Sequence, residues 1–180
     1  MTPIELRCCG QGGQGVIMTG MVVGKAAAIY EDRHATLVQS FGPEARGSTC
    51  SAQVMISDAP VPFPYVRHAD ILVAFSQSAY DKFVAELKPG ATLIYESDLL
   101  SLDNRLPQGV VARGIGATRI ATEVLGRRIV TNMVMLGFLV KQTGIVSKEA
   151  AIEALRTLVP PGTSAFNIKA FETGYQQPPE

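Results

Sequence analysis

The residues with the clearest chemical potential form a glycine loop near the start of the chain, Gly10-Gln11-Gly12-Gly13-Gln14-Gly15. An apolar run at residues 4–9 precedes this loop, and a run rich in valine, methionine and alanine at residues 16–30 follows it. This order predicts a buried strand, a tight turn and a helix. Glycines let a backbone approach a ligand closely, and the free N–H groups at the start of a helix attract an anion such as phosphate.

The spacing of Gly10, Gly12 and Gly15 matches the dinucleotide-binding fingerprint, but one part of that fingerprint is missing. A dinucleotide site needs an acidic residue at the end of the second strand, where it holds the ribose hydroxyls. The second predicted strand, residues 34–40, ends in Gln39-Ser40. Three interpretations therefore stay open for the glycine loop: helix–strand packing alone, a site for phosphate or another anion, and a true dinucleotide site.

A second segment with chemical potential follows the second predicted strand, Ser40-Phe41-Gly42-Pro43-Glu44-Ala45-Arg46-Gly47. Arg46 is a permanent cation whose guanidinium suits a carboxylate or a phosphate, and Glu44 could hold it in place. Ligands of α/β sheets bind outside the carboxyl ends of strands, so we expect this segment and the glycine loop to share one crevice. The predicted site is the whole glycine loop with Ser40, Gly42 and Arg46; the alternative is a surface ion pair in a turn.

Strands and helices alternate along the chain, which predicts an α/β fold, a three-layer α/β/α sandwich with a mixed, mostly parallel sheet. The link between residues 34–40 and the alternating, half-exposed strand at 48–57 is too short for a crossover helix, so this pair should be antiparallel. Asn132 is placed to cap a buried apolar helix. Further strands are predicted at residues 70–75, 91–95 and 109–113, and further helices at 78–87 (closed by Pro89-Gly90), 117–125, 133–142, 148–158 and 165–175.

The cysteines and histidines do not indicate a metal site. Cys8, Cys9 and Cys50 are too few for the four thiolates of an iron–sulfur cluster, and an odd number with two adjacent is no disulfide framework. Cys8 and Cys9 should point to opposite faces of the first strand. His34 and His68 lack the close spacing of a helical zinc site. We predict no metal ligand and no catalytic residue in this chain.

Length and composition favour one globular domain that spans residues 1–180. Hydrophobic residues make up 47% of the chain and charged residues 18%, and 16 basic against 16 acidic residues give a net charge of zero. This balance gives no indication of a nucleic acid or a membrane surface as partner. No run reaches the roughly 18 apolar residues of a membrane span, and no signal peptide is seen, so a cytoplasmic location is expected.

Several motifs in this order resemble the gamma subunit of 2-oxoacid:ferredoxin oxidoreductases. The resemblance extends from residue 4 to about residue 175. It departs at Ser48, where the family often has a further glycine, and at Phe41, where the family often has tyrosine. The motifs are the glycine loop, the segment at residues 40–47, Ile56-Ser57-Asp58, Ala69-Asp70-Ile71-Leu72-Val73-Ala74, Thr131-Asn132-Met133-Val134-Met135-Leu136-Gly137 and Asn167-Ile168-Lys169-Ala170-Phe171.

The resemblance implies a subunit of a complex that reversibly converts a 2-oxoacid, coenzyme A and oxidised ferredoxin into an acyl-CoA, carbon dioxide and reduced ferredoxin. Thiamine diphosphate, magnesium, iron–sulfur clusters and coenzyme A are expected on or with other subunits. The implied partners are alpha and beta catalytic subunits and a ferredoxin-like delta subunit. The isolated chain is expected to be inactive, and it could form a homodimer through its partner surface.

2-Oxoglutarate is the first substrate that the resemblance implies, and pyruvate is the second. The crevice of the glycine loop and Arg46 is expected to face the path of coenzyme A or the neighbouring catalytic subunit. Two alternatives stay open beside this interpretation. One is a stand-alone, Rossmann-like, nucleotide-dependent oxidoreductase, and the other is a non-catalytic module that binds coenzyme A or a nucleotide.

Overall fold

The computed structural model describes residues 3–42 and 48–180, so the predicted role of Arg46 falls outside the described residues. Within these ranges, one sheet of six strands has the order β2-β3-β1-β4-β5-β6. Only β3 runs against the others among these strands, because it is antiparallel to both β1 and β2 while the remaining neighbours are parallel. The predicted mixed, mostly parallel sheet is confirmed. The strands are β1 (Ile4–Gln11), β2 (His34–Ser40), β3 (Thr49–Ser57), β4 (Ala69–Ala74), β5 (Leu87–Glu96) and β6 (Val111–Ile115).

Helices connect and cover these strands, and several of them contain irregular turns. Ser76 caps α2 through its hydroxyl, which accepts from the Ala79 N–H at 3.4 Å, and Ser147 caps α5 through the Ala150 N–H at 3.2 Å. The helices are α1 (Val16–Lys25, extended by a π turn at Ala26–Tyr30), α2 (Gln77–Phe83), α3 (Ala117–Arg119, extended by a π turn at Ile120–Val124), α4 (Thr131–Thr143, after a 3₁₀ turn at Arg128–Val130), α5 (Lys148–Leu158) and α6 (Ser164–Tyr175).

The two faces of the sheet are covered by different kinds of structure. The helical face, on which Cys8 lies, packs against α1 and α3 to α6. The loop face, on which Cys9 lies, packs against α2 and two irregular segments, residues 58–68 and 97–110. The opposite orientations of the two cysteines are therefore confirmed, as is the three-layer sandwich.

Two local predictions were wrong. The strand β3 is buried on both faces and not half-exposed. Residues 58–68 cover the face of the sheet on which the polar side chains of this alternating strand lie. The predicted helix at residues 78–87 ends early, and β5 already begins at Leu87 and runs through Pro89-Gly90. Proline has no N–H for a ladder, and the pairing shifts there, from Ala69 with Leu87 to Ile71 with Thr92.

Candidate functional site

The ends of β1 and β2 lie at the same edge of the sheet, because β3 runs antiparallel between them. The Gly12 N–H donates to the Ser48 carbonyl at 3.1 Å, which joins the glycine loop to the chain that enters β3. Gly42 lies against the Ser48 side chain, so closely that a Cβ on Gly42 would be 2.6 Å from the Ser48 Cβ. In the ladder between β2 and β3, Ser40 pairs with Ser51. The structure thus brings the glycine loop, Ser40 and Gly42 to one rim of the sheet, and the binding role of this rim stays a prediction.

The side chain of Gln14 holds the glycine loop in shape. Its Oε1 accepts from the Gln11 N–H at 2.6 Å, and its Nε2 donates to the Phe75 carbonyl at 3.0 Å. The Gln14 N–H also donates to the Gln11 carbonyl at 3.1 Å. Phe75 directly follows β4, so one side chain ties the loop after β1 to the end of its parallel neighbour. Gln14 therefore acts as internal scaffold of the loop.

Three of the glycines have structural reasons of their own. Gly13 and Gly15 have φ angles of 95° and 75°, in the left-handed region that side chains avoid. A Cβ on Gly10 would lie 2.7 Å from Val16 Cγ2 and 2.8 Å from Phe75 Cβ. A Cβ on Gly15 would overlap the side chain of Asn132. Close packing accounts for Gly10 and Gly15, and the left-handed backbone accounts for Gly13 and Gly15. These reasons leave the anion interpretation open as well.

The start of α1 has no side-chain cap. Gly15 stands at the N-cap, and the first helical hydrogen bond runs from the Thr19 N–H to the Gly15 carbonyl at 3.1 Å. The N–H groups of the first turn consequently have no partner within the helix, and they form its positive end. Helix starts of this kind attract anions, and the glycine loop leads directly into this one.

A cavity of about 290 Å³ opens beside the glycine loop at the carboxyl ends of β1, β4 and β5. The connection from β1 through α1 leads to β2 on one side of β1, whereas β4 lies on the other side. The cavity therefore lies at a topological switch point, where connections leave the sheet in opposite directions. This is the place where α/β sheets bind ligands. The lining residues are Gly13, Gln14, Phe75, Glu96, Leu99, Thr118, Arg128, Ile129 and Thr131.

Glu96, the last residue of β5, is a fully buried carboxylate in the wall of this cavity. Its Oε2 accepts from the Thr118 N–H at 2.8 Å and from the Thr118 hydroxyl at 2.9 Å, and its Oε1 accepts from the Asp98 N–H at 3.1 Å. Burial raises the pKa of Glu96, and these hydrogen bonds oppose the rise. Sequence reasoning missed this residue, although an acid that closes an apolar strand at its carboxyl end was a usable signal.

A second cavity, of about 370 Å³, lies on the other side of the glycine loop. Its lining includes Gly13 and Gly15 of the glycine loop together with Asn132 and Asn167. The sequence motifs at residues 131–137 and 167–171 therefore lie beside this loop. The predicted capping role of Asn132 was wrong. The turn at Arg128–Val130 leads directly into α4 at Thr131, which leaves Asn132 buried inside the first turn, with its Nδ2 3.5 Å from the Gly15 carbonyl.

The sheet order differs from that of a dinucleotide site. In the dinucleotide-binding fold the second strand lies next to the first. Here β3 separates them, which puts Ser40 at the end of an edge strand roughly 10 Å from β1. A residue at the end of β2 is consequently too far from the glycine loop to take the place of the ribose-binding acid.

Within residues 3–42 and 48–180, histidines, cysteines and acidic residues do not form a group of three or more that could hold a metal ion. Over the same ranges, each helix is too short or too polar to cross a membrane.

The geometry of the chain has close counterparts among known proteins. A 2-oxoglutarate synthase subunit KorC of Methanocaldococcus jannaschii is 45% identical over 172 residues, which cover 96% of this chain and 92% of that protein. The crystal structure of a keto/oxoacid ferredoxin oxidoreductase gamma subunit from Geobacter sulfurreducens PCA has a TM-score of 0.84 and 40% identity, and the match covers 96% of each chain.

A third counterpart is a larger protein. The 2-oxoglutarate:ferredoxin oxidoreductase from Magnetococcus marinus, solved with 2-oxoglutarate, coenzyme A and succinyl-CoA bound, has a TM-score of 0.86 and 26% identity. That match covers 97% of this chain and 31% of the other chain. The resemblance found in the sequence is thereby confirmed. Since residues 5–177 match the family of pyruvate ferredoxin/flavodoxin oxidoreductases, from β1 to the end of α6, the chain belongs to that family.

Proposed function

We propose that the chain is the gamma subunit of a 2-oxoglutarate:ferredoxin oxidoreductase complex. The observation that carries this proposal is its correspondence, over nearly the full length of both chains, with a KorC subunit of 2-oxoglutarate synthase. The gamma subunit of known structure also corresponds to it from end to end. In this role the chain acts as one domain and as one part of an oxidoreductase.

The complex would oxidatively decarboxylate 2-oxoglutarate with coenzyme A and pass the electrons to ferredoxin. Thiamine diphosphate, magnesium and iron–sulfur clusters would be held by the other subunits, where they supply the carbanion and electron-transfer chemistry. We expect alpha and beta catalytic subunits and a ferredoxin-like delta subunit as partners, in the cytoplasm. The isolated chain would then have no turnover.

The glycine rim, comprising the glycine loop with Ser40, Gly42 and Arg46, would face the path of coenzyme A or the neighbouring catalytic subunit. Three features support this role. The start of α1 offers uncapped N–H groups, the 290 Å³ cavity lies beside it, and Arg46 belongs to the segment that leaves β2. The Magnetococcus marinus relative carries coenzyme A, whose phosphates are anions of the kind that such a rim attracts.

Assembly and substrate are tested together by co-expression of the chain with alpha, beta and delta subunits of such a complex. We expect a stable complex that reduces ferredoxin with 2-oxoglutarate and coenzyme A, and that turns over pyruvate more slowly. The chain purified alone should reduce no ferredoxin. A chain that completes the reaction alone, or one that binds NAD, NADP or FAD and joins no complex, would contradict the proposal.

The ligand-facing role of the rim is tested by Arg46→Ala in the assembled complex. Loss of a cation from a phosphate contact removes a charge-assisted hydrogen bond, so we expect the KM for coenzyme A to rise about tenfold. The matched control is Arg156→Ala, because Arg156 is an exposed cation on α5 that pairs with Glu153. An intact complex with an unchanged KM for coenzyme A in Arg46→Ala would exclude the ligand contact and leave the subunit contact.

A further inference from the structure

A carboxylate of the chain itself occupies a cluster of donors at the ends of β5 and β6. The Ser97 hydroxyl donates to Glu180 Oε2, and Arg119 Nη2 donates to Glu180 Oε1 at 2.6 Å. The Glu180 N–H donates to the Gly114 carbonyl at 3.0 Å, which places the side chain over the cluster. These donors, together with the Gly116 amide, lower the pKa of Glu180, so the bound group is an anion.

The donors are held in place by contacts that do not involve Glu180. The Ser97 N–H donates to the Ile115 carbonyl at 3.0 Å. The Arg119 N–H donates to Asp98 Oδ2 at 2.8 Å, and Arg119 Nε lies 3.6 Å from Asp98 Oδ1. Gly116 leaves room for the guanidinium, because a Cβ there would overlap Arg119 Nη2. The cluster is therefore built independently of the group that fills it.

The position of the cluster is one where α/β sheets bind ligands. Ser97 directly follows β5, and Gly116 directly follows β6, which is its parallel neighbour. The adjoining residues Glu96 and Thr118 line the 290 Å³ cavity of the glycine rim. Carboxyl ends of parallel strands are the general ligand-binding edge of such sheets.

The internal ligand is weakly held. The side chain of Arg119 is 50% exposed and that of Glu180 is 47% exposed. An ion pair between side chains this exposed contributes less than about 1 kcal/mol, because water screens it and two long side chains lose freedom. A dissolved anion can consequently compete with Glu180 for the same donors.

We propose that Ser97, Gly116 and Arg119 form a binding site for small oxyanions, and that Glu180 occupies it as a displaceable internal ligand. The shared chemistry of the ligand is two or three oxygens that carry a negative charge, as in a carboxylate or a phosphate. A guanidinium and a hydroxyl match such oxygens, whereas Asp98 repels them and keeps the affinity low. The proposal does not depend on the proposed coenzyme A contact at Arg46.

The test is a titration of the full chain, labelled with ¹⁵N, with sodium phosphate and separately with sodium acetate at constant ionic strength. We expect saturable shifts of the Ser97, Gly116 and Glu180 amide signals. Glu180→Gln removes the internal anion and should tighten binding by up to about fivefold. Arg119→Gln should abolish the saturable shifts while the rest of the spectrum is retained. Glu172→Gln, which removes an exposed acid paired with Lys148, should behave as wild type.

The two anions separate the two sources of the ligand chemistry. Saturation by acetate but not phosphate would assign a carboxylate site, and the reverse would assign a phosphate site. Equal affinity of wild type and Glu180→Gln would overturn the internal-ligand half of the proposal. Binding that survives Arg119→Gln, or shifts confined to the start of α1, would overturn the site itself.

Discussion

The backbone that covers the sheet forms its hydrogen bonds differently on the two faces. On the helical face, the covering backbone forms its hydrogen bonds within helices, so apolar side chains fill the space between α1, α4, α5, α6 and the sheet. On the loop face, residues 58–68 and 97–110 have no ladder or helix of their own. Side chains of the sheet and α2 therefore bond several of their backbone groups, at Val66, Arg67 and Ser101.

Arg7 and Gln53 show how the sheet supplies such groups. They are cross-strand partners in β1 and β3, and both are buried. Arg7 Nη2 donates to the Val66 carbonyl at 2.9 Å, and the Val66 N–H donates to Gln53 Oε1 at 3.0 Å. Arg7 also pairs with Glu86 at 2.6 Å and lies over the ring of Phe83. One residue of an irregular segment is thus fixed by two polar side chains of the sheet.

The helical face reaches its tightest point where α4 crosses α6. A Cβ on Gly137 would overlap the Phe171 carbonyl, and a Cβ on Gly174 would overlap the Val134 carbonyl. The two glycines therefore let the backbones of α4 and α6 touch in a reciprocal way. Stability therefore depends on close packing on the helical face and on hydrogen bonds on the loop face.

The largest effect is expected from Gly137→Ala. The added methyl group meets a carbonyl of another helix, which cannot rotate away, so we expect a loss of about 3 kcal/mol in the free energy of unfolding. Denaturant unfolding followed by circular dichroism measures the loss.

The matched control for this prediction is Gly24→Ala in α1. A Cβ on Gly24 would lie at an ordinary 3.7 Å from Val54 Cγ1, and alanine is the better helix former. We therefore expect the control to be more stable than wild type by up to about 1 kcal/mol. Equal midpoints for Gly137→Ala and wild type would show that the helices do not depend on this contact.

A smaller loss, of about 2 kcal/mol, is expected from Arg7→Met on the loop face. Methionine keeps the apolar volume but leaves the Val66 carbonyl and Glu86 without their cation. Thermal and denaturant unfolding measure the effect, and hydrogen exchange should quicken in residues 58–68. Arg156→Met is the control, since its exposed pair with Glu153 should contribute less than about 0.5 kcal/mol. A loss no greater than that of the control would show that the contacts of Arg7 do not stabilise the loop face.

A loss of about 1 kcal/mol is expected from Tyr80→Phe. The buried Tyr80 hydroxyl donates to Asp103 Oδ1 at 3.0 Å, and this bond links α2 to residues 97–110. We expect faster amide exchange in that segment and unchanged exchange in α4 and α6, measured by mass spectrometry. Uniformly faster exchange would indicate that the two faces are not independently stabilised.

The smallest effect concerns pH and the buried carboxyl of the helical face. Burial raises the pKa of Glu96 above its ordinary value of 4.5, so the folded protein binds this proton more tightly than the unfolded chain does. The stability from this proton is fully present below about pH 4.5 and is lost as the pH rises through the folded-state pKa. Glu96→Gln should lack this part of the pH dependence, and carboxyl ¹³C shifts should report the raised pKa directly. A Glu96 signal that titrates like an exposed glutamate would contradict the prediction.

Features that depend on neighbours along the chain could be predicted from the amino-acid sequence alone. The strand, glycine loop and helix at the start, the bounds of β2 and α5, and the antiparallel pair β2–β3 all follow from local periodicity and short connections. The order of the motifs was sufficient for the family, because it needs no knowledge of how the elements pack.

Features that depend on residues distant in sequence could be seen only in the folded chain. The insertion of β3 between β1 and β2, the contact of Asn132 with Gly15 and the place of Glu96 in the cavity all join segments dozens of residues apart. Periodicity indicates which face of an element is buried, but it gives no information about what covers the other face. For that reason β3 was predicted half-exposed, although residues 58–68 close over its polar side.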